Sequence, residues 1–561
     1  GLLFLHGSNY GACREFSRQL AEAATDLGCD TALAPLDAYA DGLPTDRPVV
    51  ITAASYNGQP TDDAAKFVRR LQEAPDGAAD GVTYAVLGIG DRTYAATYQR
   101  VPALIDDRLA ALGGTRLFPR AEADASGDLS GTVRQFTQAL RTALLEHHGD
   151  ADAPAAQPEP EAAYTVTEVT GGPLAALAAR HDMAELTVTA VDSLTDPDHP
   201  RVKRLVRLAL PEGVDYRTAD HLTVLPANDP ALVERAAALL GADPATVLDI
   251  VSHRRTGHAV DRPLTVRELL THHVELQDRP TPAQRAALAD RNPCPPEQAA
   301  LRALPEDDPR TLLDLIEDHP ALRGNLTWPV LLELLPPIRP RHYSISSSPQ
   351  WDPTEVDLMV SVLSAPARSG RGTYHGTGSG HLARITEGDT VLARIRPCRQ
   401  AFRIDHHTPV IMIAAGTGLA PFRGAVADRR ALRHDGAELA PALLYFGCDA
   451  PDADYLHRLE LETAEREGAV SMRPAFSERP QDGQRFVQDR IAAEAAEVWA
   501  LLETGAEVYV CGDGARMAPG VRAAFRDLYR ERTPQADEQQ AQAWLQELIE
   551  AGRYVEDVYA G

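Results

Sequence analysis

A multidomain α/β fold is the class this sequence predicts, on three observations. Strand-like and helix-like runs alternate at both ends of the chain, over 2–145 and again over 408–561. A Pro/Ala/acid-rich stretch with no apolar period, HHGDADAPAAQPEPEA at 147–162, separates the first run from the rest and reads as an extended linker. Between linker and final run, strand character is interrupted by a Pro-punctuated helical region at about 228–335. At 561 residues the chain is too long for one core. The expected division is 1–146, linker 147–162, a β unit in two parts at 163–227 and 336–407 around the helical insertion 228–335, and an α/β unit at 408–561.

The elements justify this in order. LLFLH (2–6) reads as a short buried strand, followed by a helix with Phe16, Leu20, Ala24 and Leu27 on one face. Further strands are expected at TALAPL (31–36), VVITAAS (49–55), VTYAVLG (82–88) and near 115–118. Strands alternating with helices imply a parallel sheet covered on both faces. From 163 the strand candidates are LTVTAV, VKRLVRLAL and HLTVLPA, then HYSISSS, VDLMVSVL and TVLARI. The last part carries VIMIAA, ALLYFG, VSMRPAF, EVYVCG and YVEDVYA, again spaced by helical runs.

Composition excludes several classes. A net charge of −26 argues against nucleic acid and anionic membranes; it reads as solvated surface, or as a face that steers a basic partner. The six cysteines (Cys13, Cys29, Cys294, Cys398, Cys448, Cys511) form no CxxC pair, which excludes the usual zinc and iron–sulfur spacings and points to a reducing compartment. The His pairs at 147–148, 272–273 and 406–407 read as solvent-exposed, so no metal is expected. No apolar run approaches the roughly 20 residues of a membrane span, and a cytoplasmic location is expected. The chain opens at Gly1 directly on a strand, and the expectation is a piece of a longer polypeptide.

In doubly wound sheets ligands bind beyond the carboxyl ends of the strands. Three loops follow strands that way: GSNYGA (7–12), SYNGQP (55–60) and GIGDRTYAATY (88–98). The first opens a helix and suits a phosphate. Tyr56 and Tyr94 can stack on a planar ring. Together they read as an FMN site. In the β unit, RPRHYSISSSP (339–349) places an Arg two residues before a Tyr–Ser pair, and HGTGSGHL (375–382) lies downstream. VIMIAAGTGLAPFRG (410–424) is strand, Gly-rich turn and helix, a layout repeated by VYVCGDGARMAP (508–519).

These blocks in this order resemble the diflavin reductases of the cytochrome P450 reductase family, across essentially the whole chain. Within that family the likeness is greatest to the reductase half of bacterial self-sufficient P450 fusions of the fatty-acid hydroxylase type. TAASYNGQPTDDAAKF (52–67), RPRHYSISSSP, APFRG, YFGC, CGDG and GRYVEDVYAG carry it. The resemblance implies a flavodoxin-like FMN domain, an FAD-binding β-barrel with a helical insertion, and a ferredoxin-reductase-like nucleotide domain.

The resemblance also implies roles. FMN would be held by Gly7, Ser8, Asn9, Tyr10, Gly11, Ala12, Ser55, Tyr56, Asn57, Gly58, Gly90, Asp91 and Tyr94, with Ala12 replacing a hydroxyl residue and Tyr94 a Trp. FAD would meet Arg341, Tyr343, Ser344, Val360, Ser361, Val362, Gly376, Thr377, Gly378, Ser379 and Tyr559, the last in place of a Trp. Ser344, Cys511 and Asp557 match the hydride-transfer group, and Tyr559 would swing aside for nicotinamide. The dinucleotide would lie along Gly416, Thr417, Gly418, Cys448, Ser477, Glu478, Arg479, Arg485, Phe486, Cys511, Asp513 and Met517.

The loop FSERPQDGQRFVQ (476–488) departs from the NADPH-specific pattern at unchanged spacing. Glu478, Gln484 and Phe486 stand where Arg, Lys and Tyr clamp a 2′-phosphate, and Asp449 replaces the Arg usual after YFGC. Two lost charge-assisted contacts and one repulsion would cost NADPH about 3–5 kcal/mol. NADH is therefore the expected donor, with Arg479 and Arg485 as the cations able to restore NADPH. The expected partner is a P450 haem domain earlier in the same polypeptide, with a homodimer also allowed. A free-standing reductase and a flavin-free docking scaffold are the alternatives.

Overall fold

The computed structural model describes residues 1–9, 11–56, 58–92, 97–148, 164–168, 174–252, 258–398 and 402–559. They fall into two compact units, Gly1–Ala163 and Tyr164–Ser252 with His258–Gly561. Most of the expected linker, 149–162, lies outside the described residues.

The first unit is a parallel sheet in the order Thr31–Pro35, Leu2–Gly7, Val49–Ala54, Thr83–Gly90 and Thr115–Arg116, with Ala121–Asp124 also paired to Thr83–Gly90. Successive strand residues point to opposite faces, so each strand feeds two cores. Leu3, Leu5, Val49 and Ile51 pack under the helices Ala65–Glu73 and Arg100–Ala111 through Phe67, Leu71, Ile105 and Leu109. Leu2, Phe4 and Val50 pack on the other face under Ala12–Thr25 and Leu129–His148 through Leu20, Ala24, Phe136 and Leu140. This double burial is why LLFLH has no polar alternation.

The second unit begins with an antiparallel sheet in the order Arg341–Ser344, His221–Val224, Thr390–Arg396, Ala184–Ser193, Lys203–Ala209 and Glu355–Ser361. One core fills it, including Leu186, Val206, Leu222, Ile345, Leu358 and Val391. The two end strands meet at a single bridge, Ile345 to Leu358, with the Ser346 N–H 2.8 Å from the Asp357 carbonyl. The expected β-barrel is thus an open sheet whose end strands are linked by an isolated bridge and not by a ladder. Tyr164–Glu168, inside the 163–227 span expected to open the β unit, pairs with Val247–Ser252, which pairs in turn with Leu264–Thr265 in a separate three-stranded sheet.

The 228–335 region is otherwise helical. Thr281 and Thr311 start helices Pro282–Arg291 and Leu312–Asp318 by reciprocal capping with Gln284 and Asp314. His273 is buried here at 6% exposure, which corrects its reading as a surface residue. It ends a π-helical turn, Leu269–His273, in which Leu269 and Leu270 are also buried.

The chain closes with a parallel sheet in the order Ser471–Phe476, Ala442–Cys448, Val410–Ala415, Glu507–Asp513 and Tyr554–Tyr559. The strand order reverses between Val410–Ala415 and Glu507–Asp513, where a doubly wound sheet opens its ligand crevice. One face buries Ile411, Ile413 and Val508. The other buries Met412, Ala414 and Phe446 in a core that also contains the barrel residues Ala219 and Met359.

Candidate active site

At the carboxyl edge of the first sheet, Gly11 adopts φ +83° and starts helix Ala12–Thr25 without a side-chain cap. The first-turn N–H groups therefore face the loop. Asn9 accepts from the Asp62 N–H at 2.8 Å through Oδ1, while its buried Nδ2 has no hydrogen-bond partner. An orphaned buried donor beside an open helix N-terminus fits a phosphate. Asp63 braces the loop, accepting from the Ser8 N–H at 2.7 Å and pairing with His6 at 3.1 Å. Burial alone would raise its carboxyl, but His6, Ser8 and Thr61 hold it below the usual range.

Tyr56 and Gln59 exchange backbone hydrogen bonds at 2.9 Å around Gly58, whose φ is +77°. Ser55 Oγ accepts from the Val101 N–H at 2.8 Å, so this hydroxyl also anchors the following helix. Gly90 accepts from the Ala125 N–H at 2.7 Å and leads into Asp91 at the same edge. Tyr10, Asn57 and Tyr94 lie outside the described residues.

In the second unit, Arg341 and Tyr343 share one face of their strand, which pairs His221 with Ser344 and Leu222 with Tyr343. Helix Thr377–Arg384 packs its uncapped start against that face. A Cβ on Gly378 would lie 2.8 Å from the Tyr343 hydroxyl and 2.8 Å from Arg341 Cγ, so the close approach requires glycine. A guanidinium, an open helix N-terminus and an aromatic ring fit a pyrophosphate-bearing flavin. Ser379 Oγ accepts from the Leu363 N–H at 3.0 Å and fixes the loop after Val362. Val360 is 1% exposed in the barrel core, so only its backbone faces the cradle; Ser361 is exposed.

Sequence reasoning missed Glu275. Its carboxylate is buried beneath the cradle, 3.5 Å from Arg341 and 3.3 Å from the Thr377 hydroxyl. Burial, then Asp278, raise its pKa above the ordinary carboxylate value.

Ser344, Cys511 and Asp557 converge where the barrel meets the nucleotide sheet. Cys511 and Asp557 are register partners on adjacent parallel strands. His221, opposite Ser344, places Nε2 3.2 Å from Asp557 Oδ2. His221 is the second residue the motifs did not single out; its only signal was a polar residue opening a buried strand. Cys511 is 3% exposed, and burial, then Asp557, push its thiol pKa up, so it stays neutral. Tyr559, on the same strand as Asp557, is 46% exposed with its hydroxyl 3.5 Å from Thr417.

The dinucleotide loops gather at the strand ends. A Cβ on Gly418 would fall 2.2 Å from the Cys511 carbonyl, so the 416–418 turn lies directly on that strand. Met517 packs against Gly512, and Asp513 caps the Ala515 N–H at 2.7 Å. The Cys448 side chain is buried in the core, leaving only its backbone toward the loop, where its carbonyl accepts from Ser477 at 2.9 Å.

Asp449 holds the next shell of contacts. It accepts from the Ser477 hydroxyl at 2.8 Å, lies 2.9 Å from His199 Nε2, and pairs with Arg201. The adjacent Asp454 pairs with the buried Lys203 at 3.1 Å. His199, Asp449 and Asp454 have ligand-like spacing, but Arg201 and Lys203 already match their charge within the protein. Arg479 is paired with Asp452 at 2.9 Å. Arg485 donates to the Ser477 carbonyl at 2.9 Å beside the exposed Phe486, and Glu478 is exposed.

Three family models match the chain: flavodoxin over 5–137, FAD binding domain over 178–381 and oxidoreductase NAD-binding domain over 412–523. The chain is 37% identical over its whole length to bifunctional cytochrome P450/NADPH–P450 reductase 2 of Bacillus subtilis, covering 54% of that protein. It is 36% identical to the corresponding bifunctional protein of Bacillus cereus, covering all of this chain and 53% of that one. A self-sufficient cytochrome P450 monooxygenase of Phanerodontia chrysosporium is also 36% identical, over 99% of this chain and 53% of its own.

Flavodoxin, FAD-binding and NAD-binding modules in that order are the domain arrangement of a two-flavin oxidoreductase, and over its whole length the chain is similar to the bifunctional reductases named above. What it matches in the bifunctional proteins is their reductase portion, and it spans about half the length of these curated relatives. Among the described residues no helix is long and apolar enough to cross a membrane.

Proposed function

We propose that this chain takes electrons from NADH, in preference to NADPH, and delivers them through FAD and FMN to a cytochrome P450 haem domain of the same polypeptide. When bound, the two flavins supply the conversion of a hydride into single electrons, which haem iron accepts one at a time.

The carrying observation is the His221–Asp557 contact at 3.2 Å, with Ser344 opposite His221 and Cys511 beside Asp557. Asp557 stands ready to balance the positive charge that develops on a nicotinamide ring as hydride leaves. His221 fixes the direction of that carboxylate, as a positioning residue. Ser344 offers a hydroxyl beside the site of transfer, and the neutral Cys511 thiol walls it without competing for charge. Arg341 and the start of Thr377–Arg384 would hold the FAD pyrophosphate, and Tyr343 would pack on the ring. Tyr559 is exposed enough to cover the ring and swing aside. In the first unit, Gly11, Asn9 and the start of Ala12–Thr25 would hold the FMN phosphate.

The preference for NADH is supported by the engagement of both replacement cations, Arg479 with Asp452 and Arg485 with the Ser477 carbonyl, while Glu478 stays exposed. A carboxylate there suits a ribose 2′-hydroxyl and repels a 2′-phosphate. The test is anaerobic rapid mixing of the flavin-loaded chain with each dinucleotide, followed at the flavin absorbance. Reduction is expected to be faster per unit concentration with NADH; faster reduction by NADPH would reject the coenzyme reading. The P450 names belong to the relatives, and reduction of a haem domain fused ahead of this chain tests that part separately.

A further inference from the structure

The segment joining strands Ala184–Ser193 and Lys203–Ala209 leaves the barrel sheet and lies on the carboxyl ends of the nucleotide strands. The Asp196 N–H bonds the Ala453 carbonyl at 2.8 Å, His199 reaches Asp449 at 2.9 Å, and Lys203 reaches Asp454 at 3.1 Å. The turn is tied internally by His199 Nδ1, 3.2 Å from the Arg201 N–H. Pinned this way, it presents the Arg201 side chain, 64% exposed, at the loop where the dinucleotide's adenosine end is expected.

Asp449, then Asp454, then Glu478 act on that guanidinium, and Asp454 is already matched by Lys203. Asp449 binds it directly and also holds the Ser477 hydroxyl at 2.8 Å. The Glu478 N–H donates to the Asp449 carbonyl at 2.9 Å, so Glu478 stands on the adjoining strand end, and its charge acts on Arg201. A cation flanked by two carboxylates offers no net attraction to a phosphate dianion, whereas an uncharged ribose hydroxyl pays no such repulsion.

We propose that Arg201, supplied by the barrel side of the molecule, is a specificity-determining residue for the dinucleotide's 2′ substituent, withheld from a 2′-phosphate by Asp449 and Glu478. This inference rests on the NADH reading. It assigns coenzyme choice to a three-residue balance and not to the 476–488 loop alone. Removing one acid should release Arg201 as a phosphate ligand.

The probes are adenosine 2′,5′-bisphosphate and ADP, titrated calorimetrically into the flavin-loaded chain, so that binding is read without turnover. Five proteins are compared at equal flavin content: the parent, Glu478→Gln, Arg201→Gln, the double variant, and Arg201→Lys combined with Glu478→Gln. Glu478→Gln is expected to tighten the 2′,5′-bisphosphate about tenfold when Arg201 is present, and less than twofold when it is Gln. Arg201→Lys in the Glu478→Gln background should restore part of the gain. Equal tightening in both backgrounds, or none in either, overturns the role of Arg201. A parent protein that already binds the 2′,5′-bisphosphate more tightly than ADP rejects the underlying NADH reading, and that result is independent of the comparison between backgrounds.

Discussion

Glu275 and Arg341 show how one buried charge can prepare a site for another. Glu275 is 2% exposed and faces both Arg341 and the Thr377 hydroxyl. Its raised pKa has burial as its leading cause, so ionising Glu275 costs more in the folded chain than in the unfolded one. By linkage, stability from this group is fully present below the unfolded carboxylate pKa and declines as pH rises through the elevated folded value. Glu275→Gln should therefore leave the flavin-free protein as stable or slightly more so, while FAD dissociates about tenfold faster because Arg341 is less well aimed. Thermal melts of the flavin-free protein and FAD release by fluorescence measure the two effects separately. A fall in both together would make Glu275 merely structural.

Among the elements, helix Ala420–His434 bears on stability through Arg423. Its guanidinium lies 2.8 Å from Asp357 on a barrel strand and 3.0 Å from Glu460 on helix Arg458–Arg466. Burial would raise Glu460, but His457 and Arg423 more than offset it and hold the carboxyl at about 2. A depressed carboxylate stabilises above its unfolded value of 4.5, and that stabilisation drains away as pH falls toward 2. Arg423→Met removes the cation shared by these two acids, leaving Asp357 with Arg207 and Glu460 with His457, and should cost about 3 kcal/mol at neutral pH. Its acid unfolding, followed by circular dichroism, should move to higher pH; an unchanged midpoint would contradict the network. APFRG was legible as a motif, yet its Arg turned out to join lobes, which no local pattern reveals.

The same limit governs what else the sequence disclosed. Strands buried on both faces, such as VIMIAA and LLFLH, were plain because continuous apolar runs bounded by glycine have few other readings. Ala121–Asp124 was not, since AEAD carries no β signal and is a strand only because Thr83–Gly90 offers it an edge. Ser344, Cys511 and Asp557 were reached through motifs, but His221, Glu275, Arg201 and Lys203 were not. Each acts through a partner roughly 65 to 340 residues away, a pairing set by tertiary packing. Lys203 left one faint trace: it is one of two lysines in the chain and sits in a run whose alternation turns it inward.

At the scale of the whole molecule, the first unit owns both of its cores, and their buried side chains all fall within residues 2–144. A fragment of residues 1–148 should fold alone and bind FMN one to one, read by cooperative thermal unfolding and quenching of flavin fluorescence; a fragment that melts without a transition would contradict this. The second unit does not divide so cleanly. Met412, Ala414 and Phe422 share one core with Ala219 and Met359 from the barrel. A crossover between related genes near residue 408 would therefore pair half of that core with a stranger's half. Recombination should preserve this unit only when both sides travel together, so the inheritable module is the pair and not the nucleotide-binding segment by itself.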